Sequence, residues 1–100
     1  MRKTYKKEKI IELVRQSIDL FLAQNLNELG FTHIIDVNMS EDLKTAFIYI
    51  SCPVDKNEKK LENRIDKKKR EIVEIFRERF TSKYIPKLKF VCVKEKDVEF

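Results

Sequence analysis

Three side chains near the middle of the chain are of the types that hydrolases use: Ser40, Asp42 and His33, the only histidine in the sequence. A serine nucleophile needs a base within hydrogen-bond reach of its hydroxyl. No base is evidently placed to activate Ser40, which lies with Asp42 in the polar segment SEDLK, rich in residues that bond their own backbone. We interpret this segment as a tight turn and His33 as a boundary residue at the start of a strand, and we expect no enzymatic activity.

Basic side chains form three groups that are suited to phosphate, because Lys and Arg displace condensed counterions from nucleic acids. One group lies at and before the first predicted helix, where Tyr5 is placed to stack on a base. The second is a run of four consecutive cations, and the third surrounds the last predicted turn and strand. The candidate RNA-binding residues are Arg2, Lys3, Lys6, Lys7, Lys67, Lys68, Lys69, Arg70, Lys83, Lys87 and Lys89.

A single surface lysine is most often a solvated side chain that aids solubility, but the run of four differs. Like charges repel one another, and the acidic residues that neutralise residues 55–66 stop at Asp66. The run therefore favours contact with RNA more strongly than the other two groups do.

The two cysteines, Cys52 and Cys92, lie in apolar runs typical of strands. Each is interpreted as a small core residue, since the third and fourth ligands of a zinc site are missing. A disulfide would require neighbouring strands in the right register. We expect no metal and no cofactor.

Charge and length indicate one domain with a polyanionic partner. The 100 residues carry 22 basic and 17 acidic side chains, a net charge of +5. Residues 1–50 hold seven of each sign and residues 51–100 hold fifteen basic and ten acidic, so the whole surplus lies in the second half. The N-terminus has no apolar segment of a signal peptide, and no stretch approaches membrane-spanning length, so we expect a cytoplasmic protein. We also expect a monomer.

The first predicted element is an amphipathic helix from Lys9 to Leu29, because apolar residues recur there at three- and four-residue spacing. Gly30, the only glycine, suits a left-handed C-terminal cap. A hairpin follows: Ile35, Val37 and Met39 alternate with polar residues, and a second strand runs over residues 45–52.

In that second strand, Ala46, Ile48 and Ile50 are expected to face the core, with Phe47 and Tyr49 on the opposite face. Cross-strand packing explains these two aromatic residues at least as well as base stacking does.

The remaining elements are a broken helix and a third strand. Pro53 ends the second strand, and Asp55 or Asn57 is placed to cap a helix running towards Phe80. Its apolar stripe, which is Leu61, Ile65, Ile72, Phe76 and Phe80, has a gap that predicts a break over residues 66–70. Pro86 favours an extended chain, and Leu88, Phe90 and Cys92 form the inward face of the last strand.

Two motifs in this setting resemble those of the ribosome-binding factor A family. The segment SEDLKTAFIYI over residues 40–50 resembles that family's hairpin signature S-x-D-L-x-x-A-x-V-Y-V. The segment PKLKF over residues 86–90 is similar to its P-E-L-x-F at the last strand. The resemblance covers nearly the whole chain, in the right order.

The resemblance implies an α+β, type II KH-like fold: helix, strand, strand, helix, helix, strand, with a three-stranded sheet and helices on one face. It also implies a non-enzymatic factor that binds the small ribosomal subunit and its ribosomal RNA during late maturation. Residues 1–100 would then form one domain, with 1–6 a candidate flexible basic arm and 95–100 a candidate flexible tail. The sequence departs from the family at residues 66–70, DKKKR, where members usually carry A-x-G.

Two further expectations concern how such a domain would act. With one glycine, the chain has no G-x-x-G loop, so the usual KH clamp on single-stranded RNA is not expected and electrostatic docking onto folded RNA remains. The alternative is a protein-interaction module without direct RNA binding, using an exposed patch of Phe47, Tyr49 and Val91.

Overall fold

The computed structural model describes residues 7–30, 32–53, 57–79 and 85–94. The predicted order of elements is confirmed, with one extra single-turn helix after the first. The candidate arm at 1–6 and tail at 95–100 lie outside the described residues. In chain order the elements are α1 (Lys7–Gln24), α2 (Leu26–Leu29), β1 (Ile34–Met39), β2 (Thr45–Cys52), α3 (Glu58–Asp66), α4 (Lys69–Arg79) and β3 (Lys87–Lys94).

The first helix is shorter than predicted, because the helical pattern is interrupted at Asn25. The Asn25 side-chain amide donates to the Phe21 carbonyl at 2.8 Å, and its backbone N–H is shared between the carbonyls of Phe21 and Leu22. Such local side-chain bonding competes with continued helix. The single helix predicted over residues 9–29 is therefore α1, a turn at Asn25 and α2.

Gly30 follows α2 with a φ of 76° and a ψ of −169°. The positive φ agrees with the prediction, but this ψ lies far from the left-handed helical region, where it is about +47°. Such a pair of angles is essentially restricted to glycine. The Gly30 N–H still donates to the Leu26 carbonyl at 2.8 Å and so closes the last turn of α2.

Strands β1 and β2 form the predicted antiparallel hairpin, with Met39 opposite Ala46 and Val37 opposite Ile48. The alternation that groups Ile35 with Val37 and Met39 is interrupted in the structure. The register shifts between Ile34 and Asp36, so Ile34 is buried and Ile35 is half-buried. A bulge of this kind adds one residue to a strand and reverses the inward and outward positions beyond it.

The connection between these strands is a hydrogen-bonded turn, as predicted. Ser40 Oγ donates to Asp42 Oδ1 at 2.6 Å, and the N–H groups of Lys44 and Thr45 donate to Asp42 Oδ1 and Ser40 Oγ at 3.0 Å each. The bond from the Ser40 hydroxyl, followed by that from the Lys44 N–H, holds the pKa of Asp42 below its usual value. Leu43 has a φ of 61°, which places it in the left-handed region.

Strand β3 lies parallel to β2, giving the sheet order β1-β2-β3. Parallel neighbours need a long crossover, which α3 and α4 provide. Phe90 and Cys92 are buried opposite Ile48 and Ile50, as predicted for the inward face, and Leu88 is partly buried. Within the described ranges, no helix combines the length and hydropathy needed to cross a membrane.

The helices cover one face of the sheet and form a single core with it. Helix α1 packs on β1 and α4, and α3 packs on β3. The largest side chains that are fully buried there are Phe21, Phe76, Ile18, Ile48, Ile50, Ile65 and Ile72. In the stripe predicted for the broken helix, Leu61, Ile65, Ile72 and Phe76 are all buried, so their spacing identified the buried face.

Helices α3 and α4 are the two halves of the predicted broken helix. Asn57 caps α3, accepting the Lys60 N–H at 3.1 Å. The break falls at Lys67 and Lys68, inside the predicted interval. Helix α4 is described as far as Arg79, and Phe80 lies outside the described residues.

Candidate nucleic-acid interface

The four cations of residues 67–70 occupy the turn between α3 and α4 and the start of α4, but they differ in their surroundings. Lys68 Nζ lies 3.0 Å from Glu28 Oε2, and its side chain is only 22% exposed. Lys69 Nζ lies 3.6 Å from Asp66 Oδ1. Within the described part of the chain, the exposed side chains of Lys67 and Arg70 form no ion pair. Two of the four positive charges are thus partly neutralised.

Helix α2 and Asn25, the residue before it, make three polar contacts with α3, α4 and the turn between them. Glu28 accepts Lys68 on its carboxylate and Arg64 Nη1 on its backbone carbonyl, the latter at 3.2 Å. Asn25 Nδ2 donates to Glu71 Oε1 at 3.0 Å on α4. The break between α3 and α4 is therefore held by side-chain contacts with Glu28 of α2 and with Asn25 before it.

A groove runs along the outer edge of β3, which we call the β3-edge groove. Its volume is about 490 Å³. It combines residues of β2, α3, α4 and β3, so it exists only in the folded chain. The side chains that matter for binding are Phe47, Glu62, Asp66, Lys69, Lys87 and Lys89.

The β3-edge groove joins two of the three predicted basic groups. Lys69, from the run of four, shares it with Lys87 and Lys89, which are both exposed. Lys89 lies directly opposite Phe47 in the parallel register. Lys44, which was not among the predicted residues, lies beside this group, because its carbonyl accepts the Lys87 N–H at 2.8 Å.

Two carboxylates on α3 form the other wall of the groove. Glu62 Oε1 accepts the backbone N–H of Cys92 at 3.1 Å and so satisfies a donor of the edge strand. Asp66 is paired with Lys69. Sequence reasoning missed both carboxylates. Their i, i+4 spacing places them on one face of α3, but nothing in the sequence indicates that β3 lies against that face.

Both cysteines are buried and neither is part of a disulfide, as expected for core residues. The parallel register sets Cys92 opposite Ile50 and Cys52 opposite Lys94, so the two thiols are diagonal to each other. Burial, and after it the Glu62 carboxylate, raises the pKa of the Cys92 thiol to about 12. Among the described residues, no cluster of metal-ligating side chains comes together.

His33 and Ser51 bind each other where β1 begins. Ser51 Oγ lies 3.0 Å from His33 Nδ1 and accepts the His33 backbone N–H at 3.1 Å, while the Ser51 N–H donates to the His33 carbonyl at 2.9 Å. Because Ser51 is fully buried, its hydroxyl is closed to a substrate. These hydrogen bonds connect the start of β1 to β2, in agreement with the interpretation of His33 as a boundary residue at the start of a strand.

The remaining predicted RNA contacts divide by position. Lys7 is exposed at the first residue of α1. Arg2, Lys3, Lys6 and Lys83 lie outside the described residues.

A second groove of about 360 Å³ lies between α2 and α3, and Lys60 and Arg64 reach it. Sequence reasoning did not single out either cation, because each alternates with acidic neighbours along α3.

Comparison with known proteins identifies the family and a solved structure with a similar fold. The family model of ribosome-binding factor A matches residues 6–97. The crystal structure of ribosome-binding factor A from Thermus thermophilus is similar, with a TM-score of 0.71 and 17% identity over 88% of this chain and 97% of that one. No curated protein matches the sequence significantly. With a family match over nearly its whole length, the chain belongs to the ribosome-binding factor A family.

Proposed function

We propose that this protein is a non-enzymatic assembly factor that binds the small ribosomal subunit and its ribosomal RNA during late maturation. Membership of the ribosome-binding factor A family supports association with the ribosome. The observation that carries the RNA contact is the meeting of Lys69, Lys87 and Lys89 at one groove, beside the exposed cations of the α3–α4 turn. Such a surface suits phosphates, and it needs no cofactor.

The proposed RNA-binding surface contains Lys67, Arg70, Lys87 and Lys89 as its exposed cations, with Lys69 between the two pairs. Lys68 belongs to the folding of the turn, since its ammonium is held against Glu28. Lys7, Arg2, Lys3, Lys6 and Lys83 complete the proposed set of contacts. The protein acts as a cytoplasmic monomer in this proposal.

Sedimentation of the full chain with purified small subunits tests the proposal. At low salt the protein should comigrate with small subunits, and the log–log salt dependence should have a slope of roughly −0.7 to −0.9 per phosphate neutralised. The double variant Lys67→Gln, Arg70→Gln should bind more weakly, with a slope reduced by roughly 1.4 to 1.8.

The matched control is the double variant Lys59→Gln, Arg79→Gln, which removes the same charge from exposed positions of α3 and α4 outside the β3-edge groove. It should bind nearly as the unaltered protein does. Equal weakening by both double variants would mean that total charge, and not this surface, governs binding. Failure of the unaltered protein to comigrate with small subunits would reject the proposed function.

A further inference from the structure

Two aromatic residues line the β3-edge groove: Phe90 is buried in the core, whereas Phe47 is not part of it. Phe47 lies between Ala46 and Ile48 on β2, and both of those neighbours are fully buried on the helix-covered face. Phe47 therefore projects to the opposite face, where it is half-buried and lines the groove. Its ring offers a flat apolar surface directly beside the Lys89 stem.

The cations and the carboxylates of the groove come from different elements. Lys87 and Lys89 come from β3, on the same face of the sheet as Phe47. Glu62 and Asp66 come from α3, across the strand edge. The Cys92 N–H holds one oxygen of Glu62, which fixes the carboxylate in orientation and leaves its second oxygen for a ligand.

An aromatic ring, two exposed cations and a carboxylate held in orientation are three kinds of group that recognise a nucleotide. The ring stacks on a base, the cations contact the flanking phosphates, and the carboxylates accept from an exocyclic amino group. The groove volume of about 490 Å³ lies within the range of small-ligand sites, about 300 to 1,000 Å³. A base within an RNA duplex is stacked on both sides and cannot present its face to Phe47.

We propose that the β3-edge groove binds one unpaired nucleotide of an RNA, with its base on Phe47 and its phosphates against Lys87 and Lys89. The inference deepens the proposed function and rests on it for the biological source of the RNA. The carboxylates give a preference for cytosine over uracil, because cytosine presents an amino group where uracil presents a carbonyl oxygen. This is a mode of contact different from the electrostatic docking onto folded RNA that the missing G-x-x-G loop led us to expect.

The test measures binding of the full chain to three probes: single-stranded octacytidine, single-stranded octauridine and a fully paired RNA hairpin whose strands are joined by a linker without nucleotides. Octacytidine should bind most tightly and the hairpin stem most weakly. Phe47→Leu keeps an apolar side chain and removes the ring, so it should weaken octacytidine binding about 5- to 150-fold at an unchanged salt slope. Lys89→Gln should instead reduce the slope by about 0.7.

The matched control is Tyr49→Leu, which removes the next aromatic ring on the same face of β2, outside the groove. It should leave octacytidine binding unchanged. Thermal unfolding followed by circular dichroism shows that each variant is folded before its binding is compared.

Several results would overturn the inference: equal affinity for the hairpin stem and octacytidine, unchanged binding by Phe47→Leu, or equal weakening by Tyr49→Leu. Loss of small-subunit association by Phe47→Leu with unchanged oligonucleotide binding would assign the groove to a protein partner and would also overturn it. The proposed function is tested separately by comigration of the unaltered protein. If the unaltered protein comigrates with small subunits but octacytidine binding does not depend on Phe47, the proposed function stands and the groove proposal is rejected. If octacytidine binding depends on Phe47 but the unaltered protein does not comigrate, the groove proposal stands and the proposed function is rejected.

Discussion

Adjacent lysines at the α3–α4 turn have different roles, although the sequence presents them as one run. Lys67 is exposed, whereas Lys68 is mostly covered and lies 3.0 Å from Glu28. An exposed cation is available to displace counterions from a phosphate. A cation that already has a carboxylate partner contributes less to binding and more to the fold.

Lys67→Gln and Lys68→Gln should therefore separate binding from stability. Lys67→Gln should reduce the salt slope of RNA binding by roughly 0.7 to 0.9 and leave the free energy of unfolding within about 0.5 kcal/mol. Lys68→Gln should lower the free energy of unfolding by about 0.5 to 1 kcal/mol, because it leaves Glu28 without its ammonium partner. Urea unfolding and salt titrations measure the two effects, and identical behaviour of the variants would contradict the distinction.

The raised pKa of the Cys92 thiol leads us to expect a lower free energy of unfolding in alkaline solution. The folded protein holds the thiol protonated, with a pKa raised to about 12 from 9.0, chiefly by burial. Below pH 9 the thiol is protonated in both states, and above it the unfolded chain releases the proton first. The free energy of unfolding should therefore fall as pH rises above 9, by at most about 1.4 kcal/mol per pH unit.

The variant Cys92→Ala isolates this effect from other alkaline titrations. The stability difference between the unaltered protein and Cys92→Ala should shift in favour of the variant between pH 8.5 and 10.5. Ile50→Val, at the residue opposite Cys92, changes the same part of the core without a titrating group, so its difference should stay constant. A constant difference for Cys92→Ala as well would show that the thiol does not titrate differently on folding.

At the scale of elements, the four-residue helix α2 helps to position α3 and α4, a role that its sequence alone does not indicate. It carries Glu28, which contacts α3 and the α3–α4 turn, and it follows Asn25, which contacts α4. The Asn25 amide is 8% exposed and donates from one nitrogen to both Phe21 and Glu71. The interruption of the first helix at Asn25 thus provides the contacts of Asn25 and Glu28 that position α3 and α4.

Asn25→Ala should destabilise the protein by about 1 to 3 kcal/mol, because it removes two hydrogen bonds and leaves Glu71 partly covered without a donor. Asn27→Ala changes an exposed residue of α2, two positions after Asn25, and should have an effect within about 0.5 kcal/mol. Urea unfolding monitored by circular dichroism gives both values. Similar values for the two variants would mean that the Asn25 bonds are not needed to align α4.

Local sequence patterns predicted the elements but not their contacts. The spacing of apolar residues predicted both ends of β2 correctly and located the α3–α4 break, because periodicity indicates which side of an element is buried. The alternation of Ile35 with Val37 and Met39 did not reveal the register shift between Ile34 and Asp36, since a bulge leaves no mark in an alternating pattern. The pairing of Glu28 with Lys68 joins residues 40 positions apart, and spacing rules do not reach that far.

At the scale of the whole molecule, the excess charge of the second half has a structural location. Residues 51–100 carry the surplus of five positive charges, and they form α3, α4 and β3. The α3–α4 turn and the exposed side of β3 flank one groove, since Lys69 of α4 lines it together with Lys87 and Lys89. Cations that are about twenty residues apart in the sequence therefore lie together at one edge of the sheet.

If these cations contact one continuous RNA, their effects on salt dependence should add. The double variants Lys67→Gln, Arg70→Gln and Lys87→Gln, Lys89→Gln should each reduce the log–log slope by roughly 1.4 to 1.8, and the fourfold variant by roughly 2.8 to 3.6. The fourfold control adds Lys9→Gln and Arg77→Gln to Lys59→Gln, Arg79→Gln, which removes equal charge from exposed positions outside the groove. A fourfold variant that loses no more slope than either double variant would show that the two pairs bind alternative RNA segments, because only simultaneous contacts release their counterions together.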